Sequence, residues 1–127
     1  MVDTNVIFSA LLLPESVPAK VLLHVARVHE LVLCDHIIKE LRDSIAKKRP
    51  DLLADIDVLL AELSYELIIA PVEPKKLIRD PKDQPILNAA IVADVDMIIS
   101  GDSDFLSLDI ERPQILSVAE FRKTYLG

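Results

Sequence analysis

The sequence predicts an α/β fold, a mostly parallel sheet sandwiched between helices, and three observations carry that expectation. Residues 31–34, 67–70, 97–100 and 114–117 are short and apolar, rich in Ile, Val and Leu, as buried strands of about 4 to 6 residues are. Longer segments with helical period lie between them. Finally, these strands are apolar throughout instead of alternating with polar residues, which is the pattern of a parallel sheet covered on both faces.

Taken in order, Val2 is the remnant of a fifth strand, and Asp3 precedes a helical segment. Pro18 opens a helix whose residues Val21, Leu22, Val25 and Val28 share a stripe. The next begins near Asp35, a candidate N-cap, and turns Ile37, Ile38, Leu41 and Ile45 inward. Lys47, Lys48 and Arg49 suit its C-terminal dipole, and Pro50 stops it. Residues 52–63 and 86–95 follow as amphipathic helices, the second carrying Ala89, Ala90 and Ala93 for close packing, and 118–125 closes the chain. No repeat, low-complexity stretch or Gly/Ser linker divides it, so residues 1–127 are expected to form one domain.

Composition narrows the functional classes. With 127 residues and 51% in the hydrophobic set, the chain can build a core without disulfides, and it has a single cysteine, Cys34, expected to pack in its strand. No apolar run reaches the roughly 18 residues of a membrane span, and the start lacks a secretory signal, so a cytoplasmic location is expected. The net charge of −7 argues against nucleic-acid binding through bulk positive charge. It leaves open a site where carboxylates gather divalent cations, since two such ions would bring the charge to −3. Two glycines exclude a dinucleotide loop or Walker-type site, and His24 and His29, five apart, are not spaced to share a helix face as zinc ligands.

In parallel sheets ligands bind beyond the carboxyl ends of the strands, and aspartates fall there. Asp3 follows the stub Met1-Val2, Asp102 follows the strand at 97–100 with Asp104 two residues on, and Asp83 leads into a helix fixed by Pro85. Each is also a natural N-cap, Asp83 most of all. Caps on separate helices have no reason to converge, whereas neighbouring strand ends lie about 5 Å apart. Converging carboxylates repel unless a proton, a basic group or a cation neutralises them, and such hard oxygen ligands suit Mg²⁺ or Mn²⁺. Glu40 stands at the edge of an apolar helix stripe, either solvated or aimed along the top of the sheet.

These pieces carry a resemblance. Asp3-Thr4-Asn5-Val6, Glu40-Leu41, Asp80-Pro81-Lys82-Asp83 with Ile86-Leu87-Asn88-Ala89-Ala90, and Ser100-Gly101-Asp102-Ser103-Asp104-Phe105-Leu106 resemble, in order and spacing, a PIN-domain nuclease. Within that family the chain is similar to VapC-like toxin components of prokaryotic toxin–antitoxin pairs. The resemblance implies a three-layer α/β/α sandwich and a metal-dependent endoribonuclease. It assigns Asp3, Glu40, Asp83 and Asp102 to the acidic quartet, Asp104 to a more variable fifth carboxylate, and Thr4, Asn5 and Ser100 to polar neighbours that orient ligands and water. Relatives have several apolar residues before the first aspartate, so either the first strand is expected to be unusually short here or the start lies upstream.

The implied chemistry is phosphodiester hydrolysis with one or two Mg²⁺ or Mn²⁺ ions. Asp3 and Asp102 are expected to hold the principal ion, with Asp83 and Glu40 completing its surroundings directly or through water. A pair of ions about 4 Å apart would activate water and clamp the attacking and leaving oxygens. For the RNA, Lys75, Lys76, Arg79 and Lys82 lead into the proposed site, though a solvated loop explains them equally, and the run at 47–49 reads better as helix-end charge. Phe8, Tyr65, Phe105, Phe121 and Tyr125 are the aromatic residues available for base stacking. The implied partners are RNA, a second copy in a homodimer and a cognate antitoxin, with no membrane. The competing readings are a catalytically silent RNA- or protein-binding PIN-like module and a receiver- or phosphatase-type phosphotransfer domain, the latter lacking a convincing phosphate-contacting Lys or Thr.

Overall fold

In a computed structural model, which describes residues 1–71 and 83–126, local punctuation starts and stops most elements where the apolar period begins and ends. Helix α1 (Thr4–Leu12) is capped by Asp3, and α2 (Val17–Val28) by Ser16, whose hydroxyl accepts from the Ala19 amide. Strand β1 (Val32–Cys34) runs straight into α3 (Asp35–Lys48). A 3₁₀ turn (Pro50–Leu52) leads to α4 (Leu53–Glu62), β2 (Glu66–Ile68) follows, and α5 (Gln84–Val92) starts after Asp83. Then come β3 (Met97–Ile99), α6 (Ser103–Leu106), β4 (Gln114–Leu116) and α7 (Val118–Phe121), the last continued by a π-helical turn (Arg122–Leu126).

All described strand pairing is parallel. Strand β1 pairs with β2 in the register Val32↔Glu66, and β3 with β4 in the register Met97↔Gln114. The amino-terminal stub lies along β3. Its Met1 nitrogen donates to the Met97 carbonyl at 2.8 Å, and Val2 forms an isolated parallel bridge to Ile99. The result is an α/β fold of helices around short parallel strands. The stub is long enough to make one bridge because Asp3 turns the chain into α1 at once.

The helices bury most of the expected stripes, Val21, Leu22 and Val25 from α2 and Ile37, Leu41 and Ile45 from α3, while Ile38 is only partly buried; α4 buries Ile56 and Leu60. Val28, placed in the α2 stripe by its spacing, is instead exposed, because α2 ends there and His29 turns extended. Ala89 and Ala90 are fully buried, which lets α5 lie close against its neighbours. Cys34 is buried in β1, and burial pushes its thiol pKa up.

Several boundaries differ from the sequence expectation, some for a tertiary reason. Asp35 is not the cap of α3; Cys34 holds that place, and the Asp35 carboxylate accepts from the Ala70 amide at 2.8 Å. Strand β2 starts at Glu66, not Leu67, because the Leu31 carbonyl takes the Glu66 amide at 2.9 Å. It is also an edge among the described residues, with Leu67 exposed. Helix α5 stops at Val92, before the expected 95, since Asp94 adopts a left-handed conformation (φ 52°) and the Val95 amide closes back on the Ala90 carbonyl. The last expected helix, 118–125, is α-helical only to Phe121 and then widens into the π turn. No single helix among the described residues is long and apolar enough to cross a membrane.

Candidate active site

The parallel pairing of the stub with β3 decides the site. Because Val2 lies beside Ile99, the residues that follow each of them, Asp3 and Ser100, emerge side by side at the same edge. The Asp3 amide donates to the Ile99 carbonyl at 2.9 Å, and the Ser100 hydroxyl donates to Asp3 Oδ2 at 2.8 Å. Both residues are buried. Asp3 Oδ1 meanwhile accepts from the Thr4 amide at 2.7 Å, so the cap and the site share one carboxylate.

Ser100 reaches the next aspartate too. Its oxygen accepts from the Asp102 amide at 3.0 Å, and Asp102 Oδ1 accepts from the Asp104 amide at 2.8 Å, capping α6. Carboxylate oxygens of Asp83, Asp102 and Asp104 all lie within 4.8 Å of one another. Asp83 does occupy the N-cap position of α5, as expected, but its side chain makes no capping bond, and its buried carboxylate joins the cluster.

Glu40 enters from α3. Its Oε2 accepts from the Thr4 hydroxyl at 3.2 Å, and its Oε1 lies 3.0 Å from His36 Nε2. It is therefore neither a solvated helix glutamate nor one of the three clustered carboxylates. Burial holds the Asp3 carboxyl above the usual aspartate range; the Ser100 and Thr4 donors pull it down, while the negative charges of Asp102 and Glu40 push it further up. This is a site of crowded negative charge. Its donor set, several carboxylate oxygens with one trio in close reach, fits a hard divalent cation such as Mg²⁺ or Mn²⁺.

The grouping differs in detail from the expectation built on Asp3 and Asp102. The closest trio includes Asp104, whereas Asp3 is joined to Asp102 through Ser100. Asn5 is exposed on the first turn of α1. Lys75, Lys76, Arg79 and Lys82 lie outside the described residues. In the other basic run, Arg49 pairs with Asp51 at 2.9 Å and Lys48 sits 5.8 Å over the Phe8 ring, so part of its charge has a structural use. Phe105 and Phe121 are buried and cannot stack on a base. His24 and His29, not spaced to share a helix face, nonetheless have ring centroids 5.3 Å apart, because His29 lies past the helix end. His36, which lies beyond a predicted strand and reads from the sequence only as an improbable zinc ligand, proves to contact Glu40, and its spacing of four from Glu40 on one helix was the available signal.

No curated protein and no solved structure matches the chain. Residues 1–104 match the family described as PIN domain, a stretch that opens on the stub before Asp3 and ends on Asp104. It takes in all five carboxylates singled out above. With the greater part of its length in that match, the chain belongs to the PIN domain family.

Proposed function

We propose that this chain is a metal-dependent endoribonuclease that hydrolyses phosphodiester bonds in RNA, and that it acts as the toxin of a VapC-like toxin–antitoxin pair. Membership of the PIN domain family implies a nuclease-type function, and such domains usually use divalent metals. The observation that carries the reading is the approach of Asp83, Asp102 and Asp104 to within 4.8 Å at the end of the parallel strands, with Asp3 tied in through Ser100.

In this mechanism Asp83, Asp102 and Asp104 would hold a Mg²⁺ or Mn²⁺ ion, with Asp3 and Glu40 as further carboxylates of the site. When bound, the ion supplies Lewis acidity and offsets the negative charge of the phosphodiester. The chain's own polar groups do the positioning. Ser100 fixes the Asp3 carboxylate and the Asp102 amide with one oxygen, and Thr4 and His36 engage the two oxygens of Glu40. Lys75, Lys76, Arg79 and Lys82 precede Asp83 in the chain and are the proposed contacts for RNA phosphates.

The same reading takes the 127 residues as one cytoplasmic domain and the strands as the middle layer of an α/β/α sandwich. The bridge from Val2 to β3, with helices on either side in the chain, supports that layering. It also takes the protein as a homodimer restrained by an antitoxin; exposed apolar residues such as Val28 and Ile69 are compatible with protein partners. Cleavage of RNA with Mn²⁺ or Mg²⁺, its loss in EDTA and its loss in Asp102→Asn are the expected results. RNA binding without cleavage under every metal condition would assign a silent binding module instead. Growth arrest on expression, relieved by a neighbouring gene's product, tests the toxin role.

A further inference from the structure

The two oxygens of Glu40 are gripped from two different elements. Oε2 accepts from Thr4, the residue after Asp3 on α1, while Oε1 meets His36, one turn ahead on α3. A glutamate that is part-exposed, with 28% of its side chain accessible, would ordinarily sample several rotamers. Here both ends of its carboxylate are engaged, and the spacing of four places the imidazole on the same helix face. With its proton on Nε2, the ring donates to Oε1 and leaves the carboxylate's remaining lone pairs open.

We propose that His36 is a positioning residue: with Thr4 it fixes the Glu40 carboxylate in one orientation beside Asp3, ready to act on the cation held by the aspartates. This rests on the metal-dependent reading above. His36 itself holds no ion; it acts through Glu40. Partners that orient a ligating carboxylate commonly change metal affinity by about 10- to 100-fold when removed, and that range sets the expected effect.

Two measurements test the proposal. In the metal-free protein, long-range ¹H–¹⁵N spectra should show the His36 proton on Nε2, with a signal that shifts in Glu40→Ala; a proton on Nδ1 alone overturns it. In Mn²⁺ titrations followed by electron paramagnetic resonance, His36→Ala should bind about 10- to 100-fold more weakly than wild type. His36→Gln, whose amide N–H reaches the same oxygen, should recover most of the loss. His36→Ala added to Glu40→Gln should cause no further loss. If wild type takes up no Mn²⁺, the nuclease reading fails and takes this inference with it. If wild type binds and His36→Ala binds equally well, only the role of His36 falls; Ala and Gln variants equally impaired would overturn its role as a donor.

Discussion

At the scale of single residues, several side chains here do two jobs, and the jobs can be separated by substitution. Asp102 both caps α6 and belongs to the carboxylate trio. Asparagine caps a helix as well as aspartate does. Asp102→Asn is therefore expected to keep the cap and, with one like charge removed from beside Asp3, to unfold in EDTA no lower than wild type while losing Mn²⁺ binding and cleavage, a pairing that calorimetry and a metal titration together would reveal. Ser100 is more structural. Removing its hydroxyl deprives buried Asp3 of a donor and the Asp102 amide of an acceptor. Ser100→Ala should cost about 1.5–3 kcal/mol, read as a lower urea midpoint at unchanged slope. Asp3 has its folded-state pKa raised, mainly by burial, so its stabilising contribution is present in full only below the unfolded pKa, about 3.9, and is lost as pH rises through the folded value. In EDTA, Asp3→Asn should accordingly be more stable than wild type at pH 7, with the advantage vanishing toward pH 3. An advantage that persisted unchanged at pH 3 would contradict the burial argument.

At the scale of elements, helix starts expected from Pro18 and from the apolar period are set in the structure by short polar residues just ahead of them. Ser16 and Ser117 cap α2 and α7, and Ser117 forms a reciprocal capping box with Glu120. Ser117→Ala is expected to destabilise the protein by about 1 kcal/mol, measurable as a shift in the urea midpoint. The stops were harder. Asp94 ends α5 in a left-handed conformation that glycine usually marks, so nothing in the local composition announced it. Asp35 looked like a cap and was recruited across the chain by the Ala70 amide instead. Strand β2 read as buried because its apolar content matches that of β1, yet β1 is buried throughout while Glu66 and Leu67 of β2 are exposed, although the two pair with each other among the described residues. Content predicts a strand; what packs over it decides its burial.

At the scale of the whole molecule, the chain concentrates negative charge where a cation would compensate it. Four carboxylates, Asp3, Asp83, Asp102 and Asp104, are at least partly buried near one strand end, and their mutual repulsion opposes folding without metal. A bound cation should therefore stabilise the native state by mass action, by about 2.7 kcal/mol at a free concentration 100 times the dissociation constant. Melting with Mn²⁺ and with EDTA checks this, and Asp102→Asn should erase the difference. An equal melting temperature in both would mean that the trio does not bind the ion.

What the sequence determined by itself was the set of parts: α/β alternation, the apolar stripes of α2, α3 and α4, and the acidic residues in the order that marks the family. Those are properties of residue type and spacing, which local periodicity and capping chemistry express directly. What only the tertiary structure decided was who meets whom. The bridge of Val2 to Ile99 sets Asp3 beside Ser100, the fold of α5 brings the side chain of its N-cap residue Asp83 into the trio, and α1 against α3 brings Thr4 to Glu40. Contacts across 36 and 97 residues of chain depend on strand register and helix packing, which no local window contains.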